Sequence, residues 1–170
     1  MQVTDLLPPA GGDQQLIPID ITIDQEGNWF YQGQPIIREN ILELFYDNLK
    51  FEADSRAFVI QWQGRRYRLQ VNDSPYVITR VDRREEGGTA TIELTLKHRA
   101  RRETLDPATL TVGAHHVLYC RTQDGRMPTR FSRPAYYQLA QWINQDPESQ
   151  EFFLELNGVR YVVGEAPEGD

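Results

Sequence analysis

The fold is decided by residues 27–82, which read GNWFYQGQPIIRENILELFYDNLKFEADSRAFVIQWQGRRYRLQVNDSPYVITRVD. Within this stretch, residues 35–50 repeat apolar side chains at helical spacing, with charged side chains between them. The apolar members are Ile37, Ile41, Leu44, Phe45 and Leu49. One face of this predicted helix must be buried, and we expect it to pack against a sheet.

The rest of the chain has the pattern of β-strands joined by tight turns. Isoleucine alternates with polar residues from 16 to 24, which is typical of a half-buried strand. Gly64 and Gly158 each lie in a short turn between extended segments, which predicts two hairpins. The predicted strands are 16–24, 28–32, 57–61, 66–71, 76–81, 89–96, 116–121, 150–156 and 159–163, with a charged loop at 83–88, a capped turn at 105–108 and a second helix at 132–144.

The same order of elements occurs twice, namely a turn glycine, a helix and a glycine hairpin. The matched positions are Gly27 and Gly125, Arg38 and Arg133, and Gly64 and Gly158. We interpret this order as a duplicated unit, and the alternative is that two short periodic patterns coincide. The predicted fold is α+β, with mainly antiparallel strands and two principal helices. The predicted divisions are a flexible leader (1–15), a first unit (16–88), a second unit packed on the first (89–164) and a flexible tail (165–170).

Composition limits the classes of function. The net charge is −7, which argues against binding nucleic acid with the whole surface. One cysteine excludes an internal disulfide framework, and the opening residues lack the pattern of a secretory signal. No apolar run approaches the roughly 18 residues of a membrane span. We therefore expect a cytoplasmic protein that does not enter a membrane.

The segment GRRYRLQVNDSPYVITRV resembles a known family, domain of unknown function 4505 (UPF0598-like). The resemblance rests on Gly64, Arg65, Tyr67, Asp73 and Pro75, and in the same order on Gly27, Leu44, Phe45, Leu105, Asp106, Pro107, Leu110 and Arg133. The cysteine that commonly precedes the first glycine of that family is Gln63 here, so chemistry that depends on the thiol does not carry over. The chain is similar, less closely, to domain of unknown function 1285. That resemblance implies two related β-rich units and a signalling role, and neither family implies catalytic residues.

Few residues suggest a reaction. His115 and His116 are adjacent, so on a strand they would point to opposite faces, and His98 is distant in sequence. This spacing does not make a metal site, and we expect neither a metal nor a cofactor. Cys120 lies within an apolar segment and is expected to be a buried hydrophobe. One alternative function is a small hydrolase with His115 or His116 as general base beside Asp124.

Arginines suggest binding instead. Arg38 and Arg133 each lie at the start of a predicted helix, where a cation opposes the helix dipole. We expect them, with the hairpin residues Arg66 and Arg160, to bind a small anionic ligand or a protein partner in a groove between the units. Ion pairs with a neighbouring carboxylate such as Glu39 or Asp20 would explain Arg38 and Arg133 equally well. A second basic patch comprises Arg80, Arg84, Lys97, Arg99 and Arg101. This patch is either a solvated hairpin or an anion or partner site, and nucleic-acid binding through it is the less favoured alternative.

Overall fold

The structure is a computed structural model that describes residues 2–8 and 15–167. Contacts divide the chain into two units, Met1–Ser74 and Pro75–Asp170. Strands predominate, and two of the helices have nine and eight residues. Most neighbouring strands are antiparallel. The predicted α+β class with two principal helices is confirmed.

The first unit is organised around a six-stranded sheet in the order β3-β2-β1-β6-β5-β4. Within this sheet, β1 and β6 run parallel. The elements are α1 (Val3–Leu6), β1 (Leu16–Ile23), β2 (Trp29–Tyr31), β3 (Gln34–Pro35), α2 (Glu39–Asp47), β4 (Leu49–Glu52), β5 (Ala57–Trp62) and β6 (Arg65–Val71).

The helix α2 packs against the sheet through aromatic residues. Trp29 of β2 is fully buried and stacks on Phe45, with 5.7 Å between the ring centroids. The Trp29 indole N–H donates to the Tyr46 hydroxyl at 3.0 Å, so the buried polar atom is satisfied. The predicted packing of this helix on a sheet is therefore confirmed.

The helix is shorter than its apolar pattern predicts. Pro35 belongs to β3, which pairs with β2, and the helix begins only at Glu39. Ile37 precedes the helix and is 80% exposed, while Leu49 follows the helix and pairs with Ile60 in the sheet. Both residues fit a helical period, but the backbone before the helix pairs as β3 with β2, and the backbone after it pairs as β4 with β5.

The segment before β1 contains structure that the sequence does not predict. Within the predicted leader, residues 2–8 include α1, whose Leu6 is completely buried. The Tyr67 hydroxyl donates to the Pro8 carbonyl at 2.9 Å, and the Tyr31 hydroxyl donates to the Asp5 carbonyl at 3.2 Å. Residues 1 and 9–14 of the leader, and 168–170 of the predicted tail, lie outside the described residues.

The second unit contains a seven-stranded sheet in the order β16-β10-β11-β12-β7-β8-β9 and a three-stranded sheet in the order β13-β14-β15. The elements are β7 (Tyr76–Glu86), β8 (Thr89–Leu96), β9 (Glu103–Thr104), β10 (Thr111–Val112), β11 (Leu118–Thr122), β12 (Met127–Phe131), α3 (Arg133–Ala140), β13 (Ile143–Gln145), β14 (Phe152–Leu156), β15 (Val159–Val162), β16 (Gly164–Glu165) and 3-10 turns at Pro107–Thr109 and Ala114–His116.

Helix α3 packs on β7 at an irregularity of the strand. The pairing register of β7 with β8 shifts between Ile78 and Arg80. The Gln138 side chain of α3 accepts a hydrogen bond from the Val81 backbone N–H at 2.7 Å. The helix ends at Ala140, earlier than the predicted 144, because the next residues enter β13 and pair with β14.

The charged segment at 83–88 differs from its prediction. The predicted loop at 83–88 is mostly strand, because β7 continues to Glu86 in register with β8 and only Gly87 and Gly88 form the turn. The sequence boundary at residue 88 therefore falls at the tip of a hairpin. After β8, residues 97–102 leave the strand before β9 begins, so Lys97, Arg99 and Arg101 of the basic patch do not extend β8. None of the described helices has the length and the apolar composition that a membrane span requires.

Candidate functional site

The second unit contains a cleft of about 210 Å³. Its apolar lining comes from Ile92 of β8 and from Leu154 and Leu156 of β14, which are 8% exposed or less. In β8, buried residues alternate with half-buried ones, and this alternation turns Ile92 towards the interior of the unit. The cleft thus has a buried apolar floor built from two strands.

Polar side chains surround this floor. Arg83 lies directly opposite Ile92 in the β7–β8 register, so its side chain is on the same face of the sheet. The other polar lining residues are Gln141, Trp142, Asn144 and Glu155, contributed by the end of α3, β13 and β14. A small number of polar groups converging on an apolar surface is the usual composition of a ligand site.

Most polar side chains that line the cleft lack a hydrogen-bond or ion-pair partner among the described residues. The side chains of Gln141, Trp142, Asn144 and Glu155 make no hydrogen bond or ion pair with another residue in the described part of the chain. Arg83 forms an ion pair with the exposed Glu85, with a 3.3 Å separation. Exposed pairs of this kind contribute about 0–1 kcal/mol, so Arg83 can exchange this partner for a ligand at little cost.

The hairpin arginines make ion pairs within their own units. Arg66 donates to both carboxylate oxygens of Glu52, at 2.8 and 2.9 Å. Arg160 donates to Asp146 at 2.9 Å, and its guanidinium lies 3.8 Å from the Phe153 ring centroid. In both pairs the partners are 14 residues apart. Carboxylates of the same unit therefore engage both arginines, and the ligand role of Arg66 and Arg160 stays a prediction.

Backbone donors reinforce the second of these pairs. The backbone N–H groups of Ser149 and Glu148 donate to the Asp146 carboxylate at 3.1 and 2.8 Å. These bonds, and then Arg160, lower the pKa of Asp146 because they stabilise its charged form. Asp146 consequently fixes the turn that leads from β13 to β14.

Arg38 and Arg133 occupy different positions relative to their helices. Arg38 precedes α2 as its N-cap residue, and its side chain makes no capping bond. Arg133 is the first residue of α3, and the preceding Ser132 caps that helix by accepting from the Ala135 N–H. Both arginines are exposed. The equivalence that the sequence predicts for them is thus displaced by one residue, and their binding role is a prediction.

The basic patch is interleaved with carboxylates. Arg80 donates to Asp82, and Arg84 and Arg102 both contact Glu93, at 3.0 and 3.3 Å. Lys97 and Arg99 are half-buried and have interactions of their own, whereas Arg101 is exposed without an ion-pair partner among the described residues. These contacts favour a solvated hairpin over a continuous cationic surface. Nucleic-acid binding through the patch stays a prediction.

The residues of the hydrolase hypothesis are not on a strand. The strand begins only at Leu118, so His115 and His116 precede it and lie in an exposed 3-10 turn. Both histidines have positive φ. Asp124 is exposed and lies 3.7 Å from Arg126. None of the three lines the cleft. The hydrolase hypothesis gains no support from these positions and stays a prediction.

Cys120 behaves as the sequence predicts. It is 1% exposed in β11, and burial raises the pKa of its thiol, with Glu103 and Asp106 adding to the effect. A protonated, enclosed thiol is a poor nucleophile. In the part of the chain that is described, no group of three or more His, Cys, Asp or Glu residues is arranged to hold a metal ion.

Sequence reasoning missed the cleft residues Trp142, Asn144 and Glu155. The predicted helix ran to residue 144 and absorbed the first two of them. The signal that could have found them is the polar segment QWINQDPESQ, which is too polar to continue an amphipathic helix. Their convergence, however, depends on the packing of β14 beside β8, which no short motif encodes.

Comparison with known families relates the first unit to one of the two families that the sequence resembles. Residues 8–74 match Domain of unknown function (DUF1285), N-terminal domain. The match covers all but the first seven residues of the first unit and ends at its last residue, Ser74. The less close of the two sequence resemblances is therefore supported over this segment, whereas the comparisons do not show the resemblance to domain of unknown function 4505.

Two solved structures of DUF1285 family proteins share the fold. The protein from Silicibacter pomeroyi DSS-3 is 21% identical, with a TM-score of 0.71 over 94% of this chain and 92% of that chain. The protein from Shewanella baltica OS155 is 17% identical, with a TM-score of 0.60 over 72% of this chain and 91% of that chain. Identities this low establish similarity of fold alone. No curated protein matches the chain.

Proposed function

We propose that the chain is a non-enzymatic ligand-binding module and that the cleft of the second unit is its binding site. The observation that supports this proposal is the set of unpartnered polar side chains around a buried apolar floor. Polar groups fixed beside apolar surface provide orientation and affinity together. A small ligand would satisfy the exposed side-chain amides of Gln141 and Asn144 at the rim of the cleft.

The chemistry of the cleft supports binding more than catalysis. Glu155 is the one carboxylate among its described lining residues, and no histidine, cysteine or lysine lines it there. General acid–base catalysis requires a group whose pKa suits proton transfer, and nucleophilic catalysis requires a nucleophile beside a base. The cleft combines charge, amides and apolar surface, which are the components of recognition.

A ligand screen with a matched pair of variants tests this proposal. A panel of small metabolites is screened by thermal shift and by tryptophan fluorescence, since Trp142 lines the cleft. The double variant Asn144→Ala with Glu155→Ala removes two cleft groups. Its control is Gln145→Ala with Glu151→Ala, which changes neighbouring exposed residues that do not line the cleft.

We expect at least one metabolite to bind the intact protein and the control with equal affinity. The affinity of the cleft variant for that metabolite should be lower by about tenfold or more. A third variant, Arg38→Ala with Arg133→Ala, tests the site that the sequence predicts. Binding that survives the cleft variant, or binding abolished by the arginine variant alone, would refute the cleft as the site. A panel without any ligand would refute the binding module.

We also propose that the protein is cytoplasmic and has a signalling role, as expected for a ligand sensor without catalytic residues. We further propose that the segments α2–β4–β5–β6 and α3–β13–β14–β15 arose by duplication. The duplication is supported by the two ion pairs of identical separation, Glu52 with Arg66 and Asp146 with Arg160. Subcellular fractionation tests the location, since recovery in a membrane or extracellular fraction would contradict it. A signalling role requires that ligand binding changes the capture of a partner protein from the same lysate.

A further inference from the structure

The turn between β14 and β15 holds two groups that react with each other. Asn157 is the only asparagine in the sequence that a glycine follows. The backbone nitrogen after an asparagine is a nucleophile for the side-chain amide carbon, and glycine leaves this nitrogen least shielded because it has no side chain. Asn157 and Gly158 are both exposed, so water reaches the turn. The turn therefore brings together a nucleophile, an electrophile and solvent.

The side-chain amide of Asn157 is held on the edge of β8. Its Oδ1 accepts from the Ala90 N–H at 2.7 Å, and its Nδ2 donates to the Ala90 carbonyl at 2.8 Å. The strand β9 pairs with β8 further along, at Glu93 and Leu94. Beside Ala90, the amide thus provides the donor and the acceptor that a neighbouring strand would provide. We call these two hydrogen bonds the Ala90 clasp.

The Ala90 clasp opposes a reaction between Asn157 and Gly158. Their φ values of 52° and 77° are those of a type I′ turn, which joins β14 and β15 where Leu156 pairs with Val159. Attack brings Cγ of Asn157 against the Gly158 nitrogen, so the side chain has to leave Ala90 and the turn has to change its dihedral angles. The loss of two neutral hydrogen bonds lowers the population of reactive conformers by about tenfold or more.

We propose that Asn157 is a site of spontaneous deamidation in the folded protein and that the Ala90 clasp sets its rate. The Gly158 nitrogen forms a bond to Asn157 Cγ, the Cγ–Nδ2 bond breaks, and Nδ2 leaves as ammonia with the proton of the Gly158 N–H. Water then opens the cyclic imide at one of its two carbonyls, which gives aspartate or isoaspartate. Water is the only co-reactant, and no atom is oxidised or reduced.

Either product releases the Ala90 clasp. A carboxylate has no N–H, so it presents an acceptor to the Ala90 carbonyl, which is itself an acceptor. Isoaspartate also places Cβ in the main chain and lengthens a two-residue turn. Ala90 lies two residues before Ile92, and Asn157 directly follows Leu156, and these two apolar residues line the cleft. Deamidation therefore loosens the strands that border the cleft, and refolding does not reverse it.

The rate is tested by peptide mass spectrometry of the full chain after incubation at neutral pH, either native or in urea. The exposed Asn144, which precedes Gln145 in the same unit, is the internal control. We expect Asn157 to deamidate about tenfold or more faster in urea than in the native protein, while Asn144 stays intact in both.

Two results of this comparison would contradict the proposal. Conversion of Asn157 in the native protein at the rate in urea, or faster, would show that the clasp does not control the reaction. A native protein that stays unmodified over about a hundred half-times of the urea sample would show that the folded chain has no such site.

A variant that weakens the clasp tests its control of the rate directly. Ala90→Pro removes the N–H that donates to Asn157, and this N–H points away from the pairing with β7, where proline is tolerated at a strand edge. We expect Asn157 to convert about threefold to tenfold faster in this variant, with the fold checked by circular dichroism. If the variant does not fold, intact protein in urea below its unfolding midpoint gives the same comparison, since local opening increases with urea. Conversion that is no faster with the clasp weakened would overturn the proposal.

The product is tested with Asn157→Asp, which carries the carboxylate. The matched control is Gln63→Glu, the same change from amide to acid at the corresponding turn of the first unit, where Gln63 also has positive φ. We expect backbone amides around Ala90 and Leu156 to exchange with deuterium about tenfold faster in Asn157→Asp and at an unchanged rate in the control. Unchanged exchange in Asn157→Asp, or equal acceleration in both variants, would refute release of the clasp by the product.

Discussion

The segments α2–β4–β5–β6 and α3–β13–β14–β15 share one construction. In each, a helix leads into an antiparallel meander whose last two strands are joined by a tight turn, at Gln63 and Gly64 or at Asn157 and Gly158. The helices begin 94 residues apart, and so do the strands β4 and β13. Each meander also has an ion pair with a separation of 14 residues.

The segments differ in what the meander does next. In the first unit, β6 pairs in parallel with β1, and the meander becomes half of the six-stranded sheet. In the second unit, the meander is a separate three-stranded sheet, and its first two strands line a cleft. Similar backbone thus forms part of a large sheet in the first unit, whereas in the second it borders a cleft.

The largest difference expected between the units concerns the core residue two positions after the turn glycine, which is Trp29 in the first unit and Met127 in the second. Both are almost fully buried, but only Trp29 combines ring stacking with a buried hydrogen bond. We expect Trp29→Ala to lower the free energy of unfolding by about 4 kcal/mol and Met127→Ala by about 2–3 kcal/mol. Urea unfolding followed by circular dichroism measures both. A larger loss for Met127→Ala would show that the aromatic cluster does not dominate the first core.

The hairpin turns provide a second contrast. Asn157 accepts from the Ala90 N–H at 2.7 Å and donates to the Ala90 carbonyl at 2.8 Å. We expect Asn157→Ala to cost about 2–3 kcal/mol, from two lost bonds and less favourable positive φ, and Gln63→Ala less than about 0.5 kcal/mol. Asn157→Gly relieves φ and should recover part of the loss. Similar losses for Asn157→Ala and Gln63→Ala, in thermal or urea unfolding, would mean that the Ala90 bonds contribute nothing.

The helix starts differ in capping. Ser132 accepts from the Ala135 N–H, while Arg38 provides no side-chain cap to α2. We expect Ser132→Ala to destabilise the protein by about 1 kcal/mol and Arg38→Ala to change stability by less. Hydrogen exchange at the first turn of each helix, together with unfolding curves, checks this. Faster exchange in α2 of Arg38→Ala than in α3 of Ser132→Ala would contradict the assigned caps.

The smallest expected effect concerns the ion pair of Arg160 with Asp146 in the second unit. Arg160→Gln should raise the pKa of Asp146 only part of the way towards its ordinary value, because the N–H groups of Ser149 and Glu148 remain. Since the folded-state pKa is lowered, the stabilisation is present above the ordinary carboxyl pKa and is lost as the pH falls through the lowered value. Carboxyl NMR titration measures this shift. An unchanged Asp146 pKa in Arg160→Gln would remove the arginine from the explanation.

Sequence predicted the strands and turns better than the ends of the helices. Alternation along residues 16–24 and the Asn157–Gly158 turn are local patterns, and the structure confirms both. Ile37 and Leu49 fit the helical period equally well, but pairing of β3 and β4 with their neighbours ends the helix between them. Local periodicity cannot reveal which backbone groups a distant strand will bind.

The candidate site could not be predicted from the sequence either, because it also depends on contacts between distant segments. The sequence analysis predicts a ligand role for Arg66 and Arg160 because they are charged. In the structure, both form ion pairs with carboxylates 14 residues earlier in the chain. Glu155, in contrast, follows the ordinary in-and-out alternation of a strand and carries no motif. Its place beside the cleft depends on how β14 packs in the folded unit.

The ends of the six-stranded sheet bear on self-association. One edge, β3, has only two residues, and one of them is Pro35, which has no N–H to offer. The other edge, β4, has four residues, including the charged Lys50 and Glu52. Another chain that approaches either edge finds few unpaired donors and must bury charge or accommodate a proline ring. The first unit is therefore protected against growth into strand-paired aggregates, even though its interior strands are rich in β-branched and aromatic residues.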